Sequence, residues 1–217
     1  MSATDVVRPS GPRSRSKRAA ILDAAAVNFA QSGYERASID AIAAAAGVSK
    51  PTVYSHFGNK EQLFRESIAQ SAEQVNAESL RAIRELDPLC RQWREGLQTL
   101  ADQLTTCQRS PCAASLNRQI NAEVVRDPEV YRYVRERTAD PIIDGLAGRL
   151  AMLGNAGHLD VPDPMLAAKQ FLALIGAEFP ELTALGSETI TDARARKAVR
   201  AGLATFLRAY ERRSDKA

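Results

Sequence analysis

The chain has 217 residues, 45% of them hydrophobic, with 29 Lys and Arg against 26 Asp and Glu and a net charge of +3. It is long enough to bury a sizeable core, too mildly basic to announce nucleic acid by total charge, and free of any run of about 18 apolar residues that would cross a membrane. Three cysteines and two histidines, in no ligand spacing, argue against a disulfide framework or a metal site, and no cofactor is expected.

Residues 1–14 read as a disordered basic arm. Across residues 1–18, Arg8, Arg13, Arg15, Lys17 and Arg18 stand against Asp5 alone, so the chain's whole basic excess sits there. Pro9, Ser10, Gly11, Pro12, Ser14 and Ser16 leave almost nothing apolar to offset the entropy of ordering. Such an arm either solubilises the chain or follows a phosphate backbone into a neighbouring minor groove. A signal peptide would need an apolar core after its positive start, and none follows, so a soluble cytoplasmic protein is expected.

The segment from Ser38 to Phe64 carries the densest pattern. Ile39, Ile42, Ala43 and Ala46 follow the i, i+3, i+4, i+7 spacing of a one-faced helix, which ends at Gly47, a residue suited to a left-handed cap. Ser49 restarts the chain as an N-cap, and Pro51 falls in the next first turn, where its missing N–H costs little. The helix over about Lys50–His56 has only about two turns, so its own packing gives it little stability. Val53 and Phe57 share its inward side, to close with Val48 on Ile39, Ile42, Phe29 and Leu22. Lys50, Thr52, Tyr54 and His56 are left on the outer arc, with Ser55 beside them. Thr52 offers a methyl group for a thymine methyl, whereas the lysine, the phenol and the imidazole suit phosphate oxygens. The layout is a helix-turn-helix with a probe for double-stranded DNA. The bland alternative is a short helix that merely caps a core. Asn59 and Gln62 then predict the start of a fourth helix through a capping box, with Lys60 in its first turn.

The run from Gly47 to Phe64 resembles the signature of the TetR/AcrR family of bacterial transcriptional regulators. Ile21, Ala24, Ala25, Phe29, Gly33 and Tyr34 match its first helix and terminating turn, and Ser38, Ile39, Ile42, Ala43 and Gly47 its second helix. The resemblance covers residues 15–70, about a quarter of the chain. It implies an all-α fold: a three-helix DNA-binding head over 15–62, with helix four leading from 59 into a C-terminal effector-binding and dimerisation domain over 63–217. It also implies a homodimer on a (pseudo)palindromic operator, a repressor responsive to an unknown small-molecule effector, and DNA contacts by Ser38, Ser49, Lys50, Thr52, Tyr54, Ser55, His56 and Lys60.

Farther on, Asp87-Pro88, Ser110-Pro111, Asp127-Pro128, Asp140-Pro141 and Asp163-Pro164 each pair an N-cap residue with proline at a first helical position. These pairs predict helices over 88–107, 111–125, 128–138, 141–155 and 164–179, followed by a last one over 191–212; at Asp140-Pro141 the alternative is a proline kink within one long helix. No alternating β pattern occurs, so no sheet is expected. Val199, Leu203, Phe206 and Tyr210, with Leu172, Ile175 and Phe179, form apolar stripes on the last two long helices. In the family such helices pair across a dimer, although each stripe also suits its own subunit's core. Trp93, Leu97, Leu100, Leu104, Leu116, Ile120, Met152 and Phe171 are candidates for an effector pocket and equally for plain core, with Arg118 and Gln119 among the polar residues that would orient a ligand.

Two other readings compete. Cys107 and Cys112 flank the turn at Ser110-Pro111, and together with Cys90 they suggest a thiol-based redox switch in which Arg109 lowers a thiol pKa. A helical adaptor that has lost DNA binding is the second. No nucleophile motif and no glycine-rich phosphate loop supports an enzyme.

Overall fold

The computed structural model describes residues 12–109, 111–124, 128–184 and 188–212. Among them the chain forms eleven helices: α1 (Pro12–Arg36), α2 (Ile39–Ala45), α3 (Lys50–Phe57), α4 (Lys60–Glu85), α5 (Trp93–Gln108), α6 (Pro111–Glu123), α7 (Pro128–Arg137), α8 (Ala139–Asn155), α9 (Pro164–Gly176), α10 (Phe179–Leu182) and α11 (Asp192–Tyr210). The only extended pairing among the described residues is an isolated antiparallel bridge between Leu159 and Glu211. The expected all-α class is the observed one.

Two apolar cores organise these helices. In the head, Ile21, Leu22, Ala25 and Phe29 of α1 meet Ile39 and Ile42 of α2, Val53 and Phe57 of α3, and Leu63, Phe64 and Ile68 of α4. The body core joins Ala82 and Ile83 of α4 to Leu97 and Leu100 of α5, Leu146 and Leu150 of α8, Phe171 of α9 and Phe206 of α11. The 26 residues of α4 span about 39 Å at 1.5 Å per residue and belong to both cores, one at each end.

Several sequence-predicted boundaries shift for local reasons. Pro12–Ser14 are helical in α1 rather than part of an arm; residues 1–11 lie outside the described residues. Asp87-Pro88 opens a turn instead of a helix, because the Asp87 carboxylate accepts the Leu89 N–H at 2.9 Å and α5 begins only at Trp93. α8 starts at Ala139, so Asp140 lies inside its first turn, 3.0 Å from the Arg135 guanidinium, and is not its cap. α9 ends at Gly176, three residues short of expectation. Pro180 has no N–H for the Gly176 carbonyl and its ring would strike that carbonyl, so the chain breaks and restarts as the short α10. Asp163 caps α9 as anticipated, accepting the Leu166 N–H at 3.0 Å, and Thr191, expected as the first residue of the last helix, is instead the cap of α11, accepting the Arg194 N–H at 3.4 Å.

α9 and α11 cross very closely. A β-carbon added at Gly202 would lie 2.1 Å from the Leu174 carbonyl oxygen, so only a residue without one lets the two backbones meet.

Candidate nucleic-acid interface

The head's geometry follows from its caps and its turn. Ser38 begins α2 by accepting the Ala41 N–H at 3.4 Å. Gly47, at φ 65°, occupies a left-handed conformation that L residues with side chains adopt at a cost. Ser49 begins α3: its hydroxyl accepts the Thr52 N–H at 3.4 Å and shares a 2.8 Å hydrogen bond with the Thr52 hydroxyl. Ser55 donates to the Thr52 carbonyl at 2.8 Å. Burial of Val53 and Phe57 fixes the rotation of α3 and turns Lys50, Tyr54 and Ser55 to solvent, with Tyr54 40% exposed and Thr52 and His56 half-buried. The hydroxyls of Ser38, Ser49, Thr52 and Ser55 thus have local backbone or side-chain partners, which define the helices that carry them.

Both lysines are held by partners that sequence spacing did not disclose. The Lys50 ammonium donates to the Asp40 carboxylate at 3.0 Å across the turn, and that hydrogen bond, with the attraction of its charge, raises the lysine pKa above its ordinary value. Lys60 donates to the Glu35 carbonyl at 3.1 Å and lies 4.9 Å from the centre of the Tyr34 ring. Asn59 caps α4 by accepting the Gln62 N–H at 2.7 Å, but the reciprocal half of the expected capping box is absent. The Gln62 side chain donates instead to Glu66 at 2.9 Å, and the Asn59 N–H goes to the Phe57 carbonyl at 2.8 Å. Glu66 also pairs with Arg18, whose guanidinium lies 5.2 Å from the centre of the Phe57 ring. The back of α3 is therefore braced by α1 and α4 while its front stays open.

The residues proposed for an effector pocket do not assemble into one site. Trp93, Leu97, Leu100, Leu104 and Phe171 pack in the body core, Leu116 and Ile120 pack on the head core, and Met152 is 43% exposed. Periodicity marks an apolar face without saying which core receives it. The dimer stripe needs a similar correction. Ile175, Phe179, Val199, Leu203 and Phe206 are buried within the chain's own core, and Leu172 and Tyr210 pack partly against it. The outward side of α11 is instead Lys197, Arg200, Ala201, Ala204 and Arg208, and that of α9 includes Leu166 and Ala173.

The cysteines also differ from the redox reading. Cys107 donates to Glu78 at 3.7 Å, and burial pushes its thiol pKa up. Arg109 lies 3.6 Å from Asp192 and 5.6 Å from the centre of the Phe179 ring, committed to other partners. Cys90 donates to Gln92 at 3.0 Å, and the Cys112 side chain lies outside the described residues. Among the described residues no cluster of three or more His, Cys, Asp and Glu is placed to hold a metal ion, and no helix is long and apolar enough to cross a membrane.

A capped two-turn helix held outward by a tight glycine turn, on an all-helical body, defines a helix-turn-helix DNA-binding regulator. The chain belongs to the TetR family. Residues 21–67 match the model of the bacterial regulatory proteins of the tetR family, and residues 95–212 match the C-terminal domain of AefR-like transcriptional repressors. A TetR-family regulator of Mesorhizobium loti superposes with a TM-score of 0.85 at 31% identity, over 93% of this chain and 100% of that one. The flavonoid-responsive regulator FrrA gives a TM-score of 0.75 at 33% identity, over 91% and 98% of the two chains. The helix-turn-helix-type regulator YhgD of Bacillus subtilis is 27% identical over 176 residues, 78% of this chain and 88% of that one. The protein is a DNA-binding transcriptional repressor of this family.

Proposed function

We propose that the protein binds a (pseudo)palindromic operator as a homodimer and releases it in response to a small molecule. α3 enters the major groove, where Thr52 and Ser55 approach the base edges from its open side and the Tyr54 hydroxyl reaches a phosphate oxygen. Lys50, His56, Lys60 and the exposed rim around Ser38 and Ser49 meet phosphates, which set register without reading sequence. The observation that carries this reading is the asymmetry of α3: Val53 and Phe57 are buried, while Lys50, Tyr54 and Ser55 face outward on the same two turns.

Dimerisation uses the outer faces of α9 and α11, with two heads separated by one helical repeat of B-DNA or a multiple of it. Resemblance to a flavonoid-responsive regulator favours an aromatic effector. The test titrates purified protein against DNA from around its own gene at several salt concentrations, with unrelated DNA as competitor. A complex that resists competitor and weakens with salt supports the reading. Loss of all binding to competitor would remove it.

A further inference from the structure

A cavity of about 170 Å³ lies on the seam between the head and α6. It exists because α1 breaks at Gly33, whose φ of 73° is open to a residue without a side chain and turns Tyr34 back onto the head. The Tyr34 ring stacks 6.1 Å from that of Phe29 and meets Phe64 edge-on at 5.1 Å, while Phe29 and Phe64 form their own edge contact at 4.9 Å. The buried Phe29 and Phe64 close the floor and the half-buried Tyr34 stands as a wall. α6 supplies the other side, with Arg118, Gln119 and Ala122.

Arg118 is exposed, and its guanidinium has no ion pair or hydrogen bond among the described residues. Three other arginines near the head are committed: Arg18 to Glu66, Arg65 to Glu61 and Arg36 to the Ser32 carbonyl. An uncommitted planar cation beside an aromatic wall matches a ligand with a flat ring at one end and a carboxylate at the other. The guanidinium donates two parallel hydrogen bonds to a carboxylate, and the ring gains contact with the part of Tyr34 that Phe29 and the Lys60 ammonium leave uncovered, at a cost in ordering lower than that of a flexible chain.

We propose that this seam cavity binds a small aromatic carboxylate of one ring, with the carboxylate on Arg118 and the ring against Tyr34. The cavity's walls belong to both head and body, so an occupant sits where the head's orientation is set. The proposal rests on the ligand-responsive reading for its regulatory meaning only; the binding itself does not depend on it.

The test is calorimetric titration of the full chain with 4-hydroxybenzoate and with its neutral counterpart 4-hydroxybenzamide. The acid should bind saturably, one per chain, at least tenfold more tightly than the amide. Arg118→Gln should bring the acid down to the affinity of the amide. Ala122→Trp should fill the cavity and abolish both; Ala122 is exposed, and Ala30→Trp on the facing helix makes the same test should the first variant fail to fold. No saturable binding at millimolar acid, equal binding of acid and amide, or binding indifferent to both substitutions would overturn the site. Operator titration without probe separates the two readings. Probe binding that is sensitive to the variants, with no specific DNA complex, leaves the site and removes the regulatory reading; a specific DNA complex with no probe binding removes the site alone.

Discussion

Lys60 shows how one side chain can carry two duties. Its ammonium bonds the Glu35 carbonyl and covers the Tyr34 ring, so it closes the end of α1 while its charge remains available at the head's rim. Lys60→Met should therefore lower the melting temperature as well as weaken binding to every DNA sequence, by thermal denaturation and by titration against unrelated duplexes. Unchanged melting would show that the carbonyl contact stabilises nothing. Thr52→Ala, in contrast, should alter preference among operator variants by about 1–3 kcal/mol per affected base pair, with little change in affinity for unrelated DNA. At Cys107 the sign is fixed by burial: a raised pKa means less thiolate at neutral pH, so alkylation by iodoacetamide at pH 7.5 should run slower than for an unhindered thiol and accelerate as pH climbs. The outer arc of α3 was legible in the sequence because helical spacing sorts faces. The Lys50–Asp40 and Lys60–Glu35 contacts were not, since ten and twenty-five residues of separation, closed by a turn and by α1's kink, leave no periodic trace.

At the scale of elements, caps were the most readable features and packing partners the least. Ser49, Asn59 and Asp163 begin their helices where the sequence places them. Asp87-Pro88 shows why the rule fails: the same two residue types also open an Asx turn, and only the tertiary position of Trp93 decides. Ser49→Ala removes the α3 cap and should cost about 1 kcal/mol of stability, measured by urea denaturation. The α9–α11 crossing is more demanding. Gly202→Ala places a methyl group against the Leu174 backbone, forcing two helices apart, and should destabilise by about 1–3 kcal/mol in the same assay. Nothing in the local sequence distinguishes Gly202 from an ordinary helical glycine, because its reason lies on another helix.

Across the whole molecule, the residues most easily taken for an interface are already used inside. With Val199, Leu203 and Phe206 buried within the chain, the dimer proposed above uses the small and basic outer side of α11 together with α9. Ala201→Glu should then yield a monomer by sedimentation velocity while leaving melting of the chain itself little changed. The sequence disclosed that an amphipathic stripe existed; it could not say whether the stripe met its own core or a partner, since both bury the same residue types. α6 and α7 give the parallel case, for Leu116 and Val134 complete the head core although they belong to the C-terminal half.

That shared core bears on how such regulators can be recombined. A chimera cut after residue 62 would leave Leu63, Phe64 and Ile68 with the donor of the body, stripping the transplanted head of its central hydrophobic wall. A junction beyond Ala72, within the solvent-facing middle of α4, would carry that wall along. Even then, the new host must supply a complement for the surface that Leu116 and Val134 now cover. Modular exchange of operator specificity is thus limited by whether two parents share the fit between head and α6, more than by whether their recognition helices align.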